Sequence, residues 1–171
     1  MKQKSFKQRA LELLKVGATE YSKLLGIDFV LISDKFQNRD KYVLRFYEGN
    51  FLHLTGVETS LPAKDFFLKC FDGTVTNNDF DCDSTLILKG TVRHKLSHII
   101  SISTFFDGNI RCQESFVKGK VKCIVAASDR KYTLGFIGGE GPLNPLTLLH
   151  NDFLDDESAI GDITIAKIKR K

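Results

Sequence analysis

The sequence predicts an α+β fold, with helices packed on one side of a small antiparallel β-sheet. Three observations lead there. Apolar residues recur at helical spacing near the start and again in the middle of the chain. Between and after these stretches lie short runs rich in β-branched and aromatic residues. The connections between the early runs are too short for the crossovers that parallel strands require. At 171 residues the chain is long enough to bury a core as a single domain.

The elements follow in order. Residues 4–25, KSFKQRALELLKVGATEYSKLL, place Phe6, Ala10, Leu13, Leu14 and Tyr21 at helical spacing, and Gly26 supplies a stop. DFVLIS (28–33) reads as a strand and FQNRDK as a turn. KYVLRFY (41–47) is a second strand and, after EGN, FLHLTG (51–56) a third, completing a meander. Pro62 opens a helix over PAKDFFLKCF in its favoured first-turn position, and Asp72-Gly73 closes it. Asp83 or Ser84 caps a longer helix, DSTLILKGTVRHKLSHIISISTFF, with Leu88, Val92, Leu96, Ile99 and Ser103 on one face. Gly90 inside it costs about 1 kcal/mol relative to Ala. Asp107-Gly108-Asn109 ends it. SFVKGKVKCIVAASD and KYTLGFIGG are strand-rich and meet in a hairpin at Asp129-Arg130-Lys131. GGEGPLNP is a loop, PLTLLHND sets His150 near a helix or turn, and DITIAKIKRK alternates as an edge strand does.

Composition narrows the function classes. A hydrophobic fraction of 42% with 27% charged residues is that of a soluble globular protein. The 14 Phe, against no Trp, supply buried area without a polar handle and read as core. A net charge of +4 leans towards anionic partners, nucleic acid above all, but is modest for extended polyanion binding. Cys70, Cys82, Cys112 and Cys123 have no metal-clip or redox spacing and read as buried thiols in a reducing compartment. The charged start MKQKSFKQRALELLKV lacks the apolar block of a signal peptide. No run approaches the roughly 18 apolar residues of a membrane helix. The expectation is a cytoplasmic protein with no membrane partner. A GK[ST] phosphate loop, a GxGxxG after a strand and a GxSxG elbow are all missing.

Four groups of residues could carry chemistry. On a strand, His53 and Thr55 share one face with Phe51 while Leu52 and Leu54 take the other. A histidine there can act as base and acid in one cycle, and a threonine can orient a phosphate oxygen. The plainer alternative is the wet side of a sheet. Lys118, Lys120 and Lys122 alternate in VKGKVKC, which on a strand gives a row of ammonium groups suited to phosphates, or simply a solvated face. In KGTVRHKLSH, Lys89 and Arg93 are four apart, as are His94 and His98. The histidine pair lacks the acidic residue of a metalloprotease helix, and Arg93 or Lys95 is the better phosphate contact. Thr133 points away from the face of Tyr132, Leu134 and Phe136, with Ser128 nearby. The acidic run at 155–157 has no metal-site spacing.

The segments NFLHLTGV, AKDFFLKCFDG, KGTVRHKL, VKGKVKCIVAASDRKYTLGFI and PLNPLTLLHNDFLDD together resemble the fourth group of phage-borne nucleases classed with barnase, EndoU, colicin and RelE (PBECR), over about residues 20–160. The resemblance implies a compact α+β fold and cleavage of RNA, tRNA or another cellular RNA, without a metal or cofactor. It further implies His53 as general base or acid, Thr55 as phosphate-orienting group, and Arg93 and Lys120 as charge stabilisers. Lys95, Lys118, Lys122 and Thr133 then contact substrate. HLTG holds one histidine, so a second acid or base must come from elsewhere: His150, a lysine or a tyrosine. A toxin or effector of a mobile element with an immunity protein is one expectation. A non-catalytic RNA- or protein-binding module, or a degenerate structural phage protein, is the alternative.

Overall fold

Ser5 and Gln8 form a capping box. Ser5 Oγ accepts from the Gln8 N–H at 3.2 Å, and Gln8 Oε1 accepts from the Ser5 N–H at 3.0 Å. Two otherwise orphaned donors are thereby satisfied, and helix α1 (Phe6–Ser22) begins where the box ends. The chain is seen here in a computed structural model that describes residues 5–82 and 90–171. Its contacts group into two compact units: Met1–Leu24 with Glu48–Ser103, and Leu25–Tyr47 with Thr104–Lys171.

The first unit carries the helices. A 3₁₀ turn, Glu48–Asn50, leads into α2 (Phe51–Thr55); α3 (Ala63–Asp72) and α4 (Thr91–Ile99) follow. FLHLTG is therefore helix, which corrects the third strand and the meander. Phe51, Leu54 and Thr55 are the buried residues of α2, the i, i+3, i+4 pattern of a helix face. Five residues are too few for the two periods to separate, and Gly56 at φ 76° gives the left-handed stop typical of a helix end. Pro62 caps α3 from outside rather than sitting in its first turn, while Gly73 closes it at φ 82° as expected. The long middle helix is also corrected. Gly90, at φ 74°, is the N-cap of α4 and not an interior residue. After Ile99 the chain turns and tightens into a 3₁₀ segment, Ile102–Asp107. Asp83, Ser84, Leu88 and Lys89 lie outside the described residues.

Helix α1 packs on α3 and α4, and α2 packs on the same two. Tyr21, Phe51 and Phe67 form the centre, with ring centroids 5.4–5.7 Å apart and mutually tilted, as aromatic quadrupoles prefer. At Gly17 a Cβ would fall 2.7 Å from Ile99 Cγ2, so glycine is what lets α1 and α4 approach.

The second unit holds seven strands: β1 (Ile27–Ile32), β2 (Lys41–Arg45), β3 (Arg111–Lys118), β4 (Val121–Ser128), β5 (Tyr132–Ile137), β6 (Asn144–His150) and β7 (Thr164–Lys169). They form two antiparallel sheets rather than one, ordered β2-β1-β7 and β3-β4-β5-β6. The α+β class stands, and β7 lies at a sheet edge as its alternation predicts. Two isolated bridges lie along the sheet edges. Leu143 exchanges hydrogen bonds of 2.8 Å with Val43 and Arg45, and Cys112 exchanges bonds of 2.9 and 2.7 Å with Ile160. These partly cover the edges of β2 and β3 that would otherwise invite pairing with another chain. Phe29, Phe46, Phe106 and Phe136 pack inside this unit, Phe29 and Phe106 stacked at 4.4 Å. His150 ends β6 opposite Tyr132, a strand position instead of a helix or turn.

Candidate functional site

The first unit brings HLTG and RHKL together. Gly56 ends α2 in the left-handed region, and the space where its Cβ would stand is taken by α4. A Cβ there would meet Lys95 Cδ at 3.0 Å and Val92 Cγ2 at 3.5 Å. The aliphatic stem of Lys95 therefore runs over bare backbone, and glycine suits the position for both conformation and room. His53 is exposed on α2, three residues before Gly56. On a helix that spacing puts it on the same side as the glycine that Lys95 touches.

Lys95 is half-buried and makes no ion pair among the described residues. Burial alone holds its ammonium below the ordinary lysine value. Two consequences follow. The ammonium is a stronger acid than a solvated lysine, and an anion brought to it restores what desolvation removed.

Thr55 does not share the exposure of His53. It is fully buried, its Oγ1 donates to the Leu52 carbonyl at 2.7 Å and accepts from the Val57 N–H at 3.3 Å. The same-face pairing of His53 and Thr55 is thus corrected: the hydroxyl locks the turn that places Gly56. Arg93 parts from Lys95 in a different way. Two residues on a helix are about 200° apart around its axis. Lys95 faces α2, whereas Arg93 faces α1 and lines an open groove of about 400 Å³ with Phe6, Arg9, Ala10, Leu13 and Leu96.

The lysine row of VKGKVKC is corrected as well. Lys118 ends β3, Gly119 (φ 60°) and Lys120 make a two-residue turn, and Lys122 lies on β4. The register opposes Lys118 to Val121 and Val117 to Lys122. Directly opposed residues share a face, so Lys118 and Lys122 lie on opposite faces of the hairpin. Lys118 Nζ sits over the Phe153 ring at 3.0 Å, while Lys120 is exposed at the tip. The alternation of lysines masked a glycine turn, which a hairpin of this length favours.

Thr133 is buried and not on an open face. Its Oγ1 donates to the Asn151 carbonyl at 2.9 Å and accepts from the Phe153 N–H at 3.0 Å. His94 and His98 are half-buried on α4, and among the described residues no group of three or more His, Cys, Asp or Glu is placed to hold a metal ion. The cysteines are free, and burial pushes the Cys70 and Cys112 thiols up to about 12, which makes them poor nucleophiles. Among the described residues no helix is long and apolar enough to cross a membrane.

Lys95, already a candidate substrate contact in the sequence, gains weight, and Arg9 is new to the list. Lys95 had a signal: it stands three after Val92 and four before Ile99, at the margin of the buried stripe. Arg9 had none, because only tertiary packing sets α1 beside α4.

No curated protein and no solved structure matches the chain. A family model described as phage-Barnase-EndoU-ColicinE5/D-RelE like nuclease4 (PBECR4) matches residues 13–152, a span that includes HLTG, RHKL and the lysine hairpin. With most of its length inside that match, the chain belongs to this nuclease family.

Proposed function

We propose that the protein is a metal-independent endoribonuclease of a phage or related mobile element, acting as a toxin or effector on cellular RNA in the cytoplasm, with an immunity protein as its natural partner. The observation that carries the reading is the contact of Gly56 with Lys95. It sets a desolvated ammonium, without an ion-pair partner among the described residues, beside the helix that presents His53.

The chemistry divides as follows. The imidazole of His53 takes the proton of an RNA 2′-hydroxyl, whose oxygen attacks the adjacent phosphorus. A 2′-O–P bond forms, the P–O5′ bond breaks, and the Lys95 ammonium passes a proton to O5′. The products are a 2′,3′-cyclic phosphate and a 5′-hydroxyl. The positive charge of Lys95 also opposes the negative charge that grows on the phosphoryl oxygens. Arg93 contacts a phosphate of the bound strand. Lys118, Lys120 and Lys122 are assigned to backbone phosphates, a role that needs charge and no common face. Thr55 and Thr133, whose hydroxyls serve the fold, have no part in it.

The test is cleavage of total bacterial RNA and tRNA by the purified full chain in excess EDTA. Wild type should give discrete fragments ending in cyclic phosphate, and His53→Ala should give none. A folded wild-type protein that leaves RNA intact, or cleaves it only with added metal, overturns the proposal.

A further inference from the structure

We propose that the groove between α1 and α4 is a subsite for one unpaired nucleotide of single-stranded RNA, with its base on the apolar floor and its flanking phosphates on Arg9 and Arg93. The inference rests on the ribonuclease reading for its occupant, and on the groove itself for its geometry.

The floor is apolar: Phe6, Ala10 and Leu13 from α1 and Leu96 from α4. Arg9 and Arg93 stand exposed at its margins, one from each helix, and neither meets a carboxylate among the described residues. Four other arginines of this chain are engaged. Arg45 and Arg170 both bind Asp28, Arg111 binds Asp152 and Asp156, and Arg39 donates to the carbonyls of Gly139, Glu140 and Gly141. Two guanidiniums without counter-charge, on either side of an apolar cleft, complement a ligand that is anionic at its ends and flat and apolar between. A nucleotide within a strand has that form, since every base offers a π-face and every linkage a charge. A volume of about 400 Å³ admits a base with its sugar. A duplex keeps its bases stacked away from side chains, so the groove selects single strands, loops or bulges. The division of labour on α4 follows from its geometry. Lys95, about 200° from Arg93 around the axis, serves the cleaved linkage, and Arg93 holds a neighbouring one.

The test uses the full chain carrying His53→Ala, so that binding is read without cleavage, and a fluorescent single-stranded RNA hexamer followed by anisotropy. Adding Arg9→Ala should weaken binding about tenfold, as expected for loss of one charge-assisted contact, and should lower the salt slope by about 1. Leu13→Glu should weaken it similarly, and Lys64→Ala, whose ammonium pairs with Glu48, should leave it unchanged. A blunt-ended RNA duplex with no loop or bulge should compete poorly against the single strand. Unchanged affinity in folded Arg9→Ala and Leu13→Glu proteins overturns the subsite. So does competition by an acidic peptide as strong as that by RNA, which would make the groove a protein-docking site. Normal cleavage by wild type with unaltered binding in the groove variants removes the subsite alone. Groove-dependent binding in a protein that cleaves nothing removes the enzymatic reading alone.

Discussion

Gly56→Ala tests the site at its narrowest point. Two separate costs arise from the structure. The backbone there has φ 76°, a conformation that costs an alanine roughly 1–2 kcal/mol. The new Cβ would stand 3.0 Å from Lys95 Cδ, tighter than ordinary contact, and the flexible stem of Lys95 must move a few tenths of an ångström. The first cost falls on stability. For a chain of 171 residues it corresponds to a drop in Tm of roughly 2–8 °C, measured by thermal denaturation followed by circular dichroism. The second falls on cleavage, through the displaced ammonium. Gly56→Asn separates them, because asparagine tolerates the left-handed region better but carries the same Cβ. It should recover part of the stability and little of the cleavage rate. A Gly56→Ala protein with wild-type Tm would refute the backbone argument. A destabilised Gly56→Ala protein with the wild-type rate at a temperature where both are folded would refute the placement of Lys95.

Three further outcomes are expected. The folded-state value of Lys95 lies below that of a free lysine, so between the two values the unfolded chain binds more protons and stability rises with pH; urea denaturation across that window should show less of this rise in Lys95→Met than in wild type. Gly17→Ala should cost about 1–3 kcal/mol by overpacking, since its Cβ would lie 2.7 Å from Ile99 Cγ2. Combining it with Ile99→Ala should be clearly less than additive in the same denaturation assay. Lys120→Ala, at an exposed hairpin tip, should leave stability within about 0.5 kcal/mol of wild type while weakening RNA affinity and reducing its salt slope by about 1 in filter binding.

The elements legible in the sequence are those whose signals are local and redundant. Helix α1 had a long apolar period and a stop at Gly26, α3 had a stop at Gly73, and the β4–β5 hairpin had Asp129-Arg130-Lys131 between two apolar runs. Misreadings came where a short pattern fits two periods. FLHLTG alternates like a strand, yet folds as five helical residues because burial of Phe51, Leu54 and Thr55 on α3 and α4 outweighs the alternation. VKGKVKC alternates too, and hides a turn at Gly119. Of the candidate site, the sequence offered residue types but not their arrangement. His53 is exposed and Arg93 meets no carboxylate among the described residues, but Thr55 and Thr133 are threonines whose hydroxyls close backbone turns, a use that looks identical in sequence.

The sequence by itself determined the α+β class, the helical and strand-rich stretches, the absence of common nucleotide-binding motifs and the kinship with a nuclease family. These depend on composition and on patterns within a few residues or along a matched span. Only the tertiary structure decided that Gly56 and Lys95 meet, that Lys95 is desolvated without a counter-charge among the described residues, and that Arg9 stands across a groove from Arg93. The physical reason is one of range. Hydrogen-bonded periods and caps act over a few residues and leave a local trace, whereas burial and charge pairing depend on neighbours tens of residues away. What a lysine can do is set by whether those neighbours take away its water.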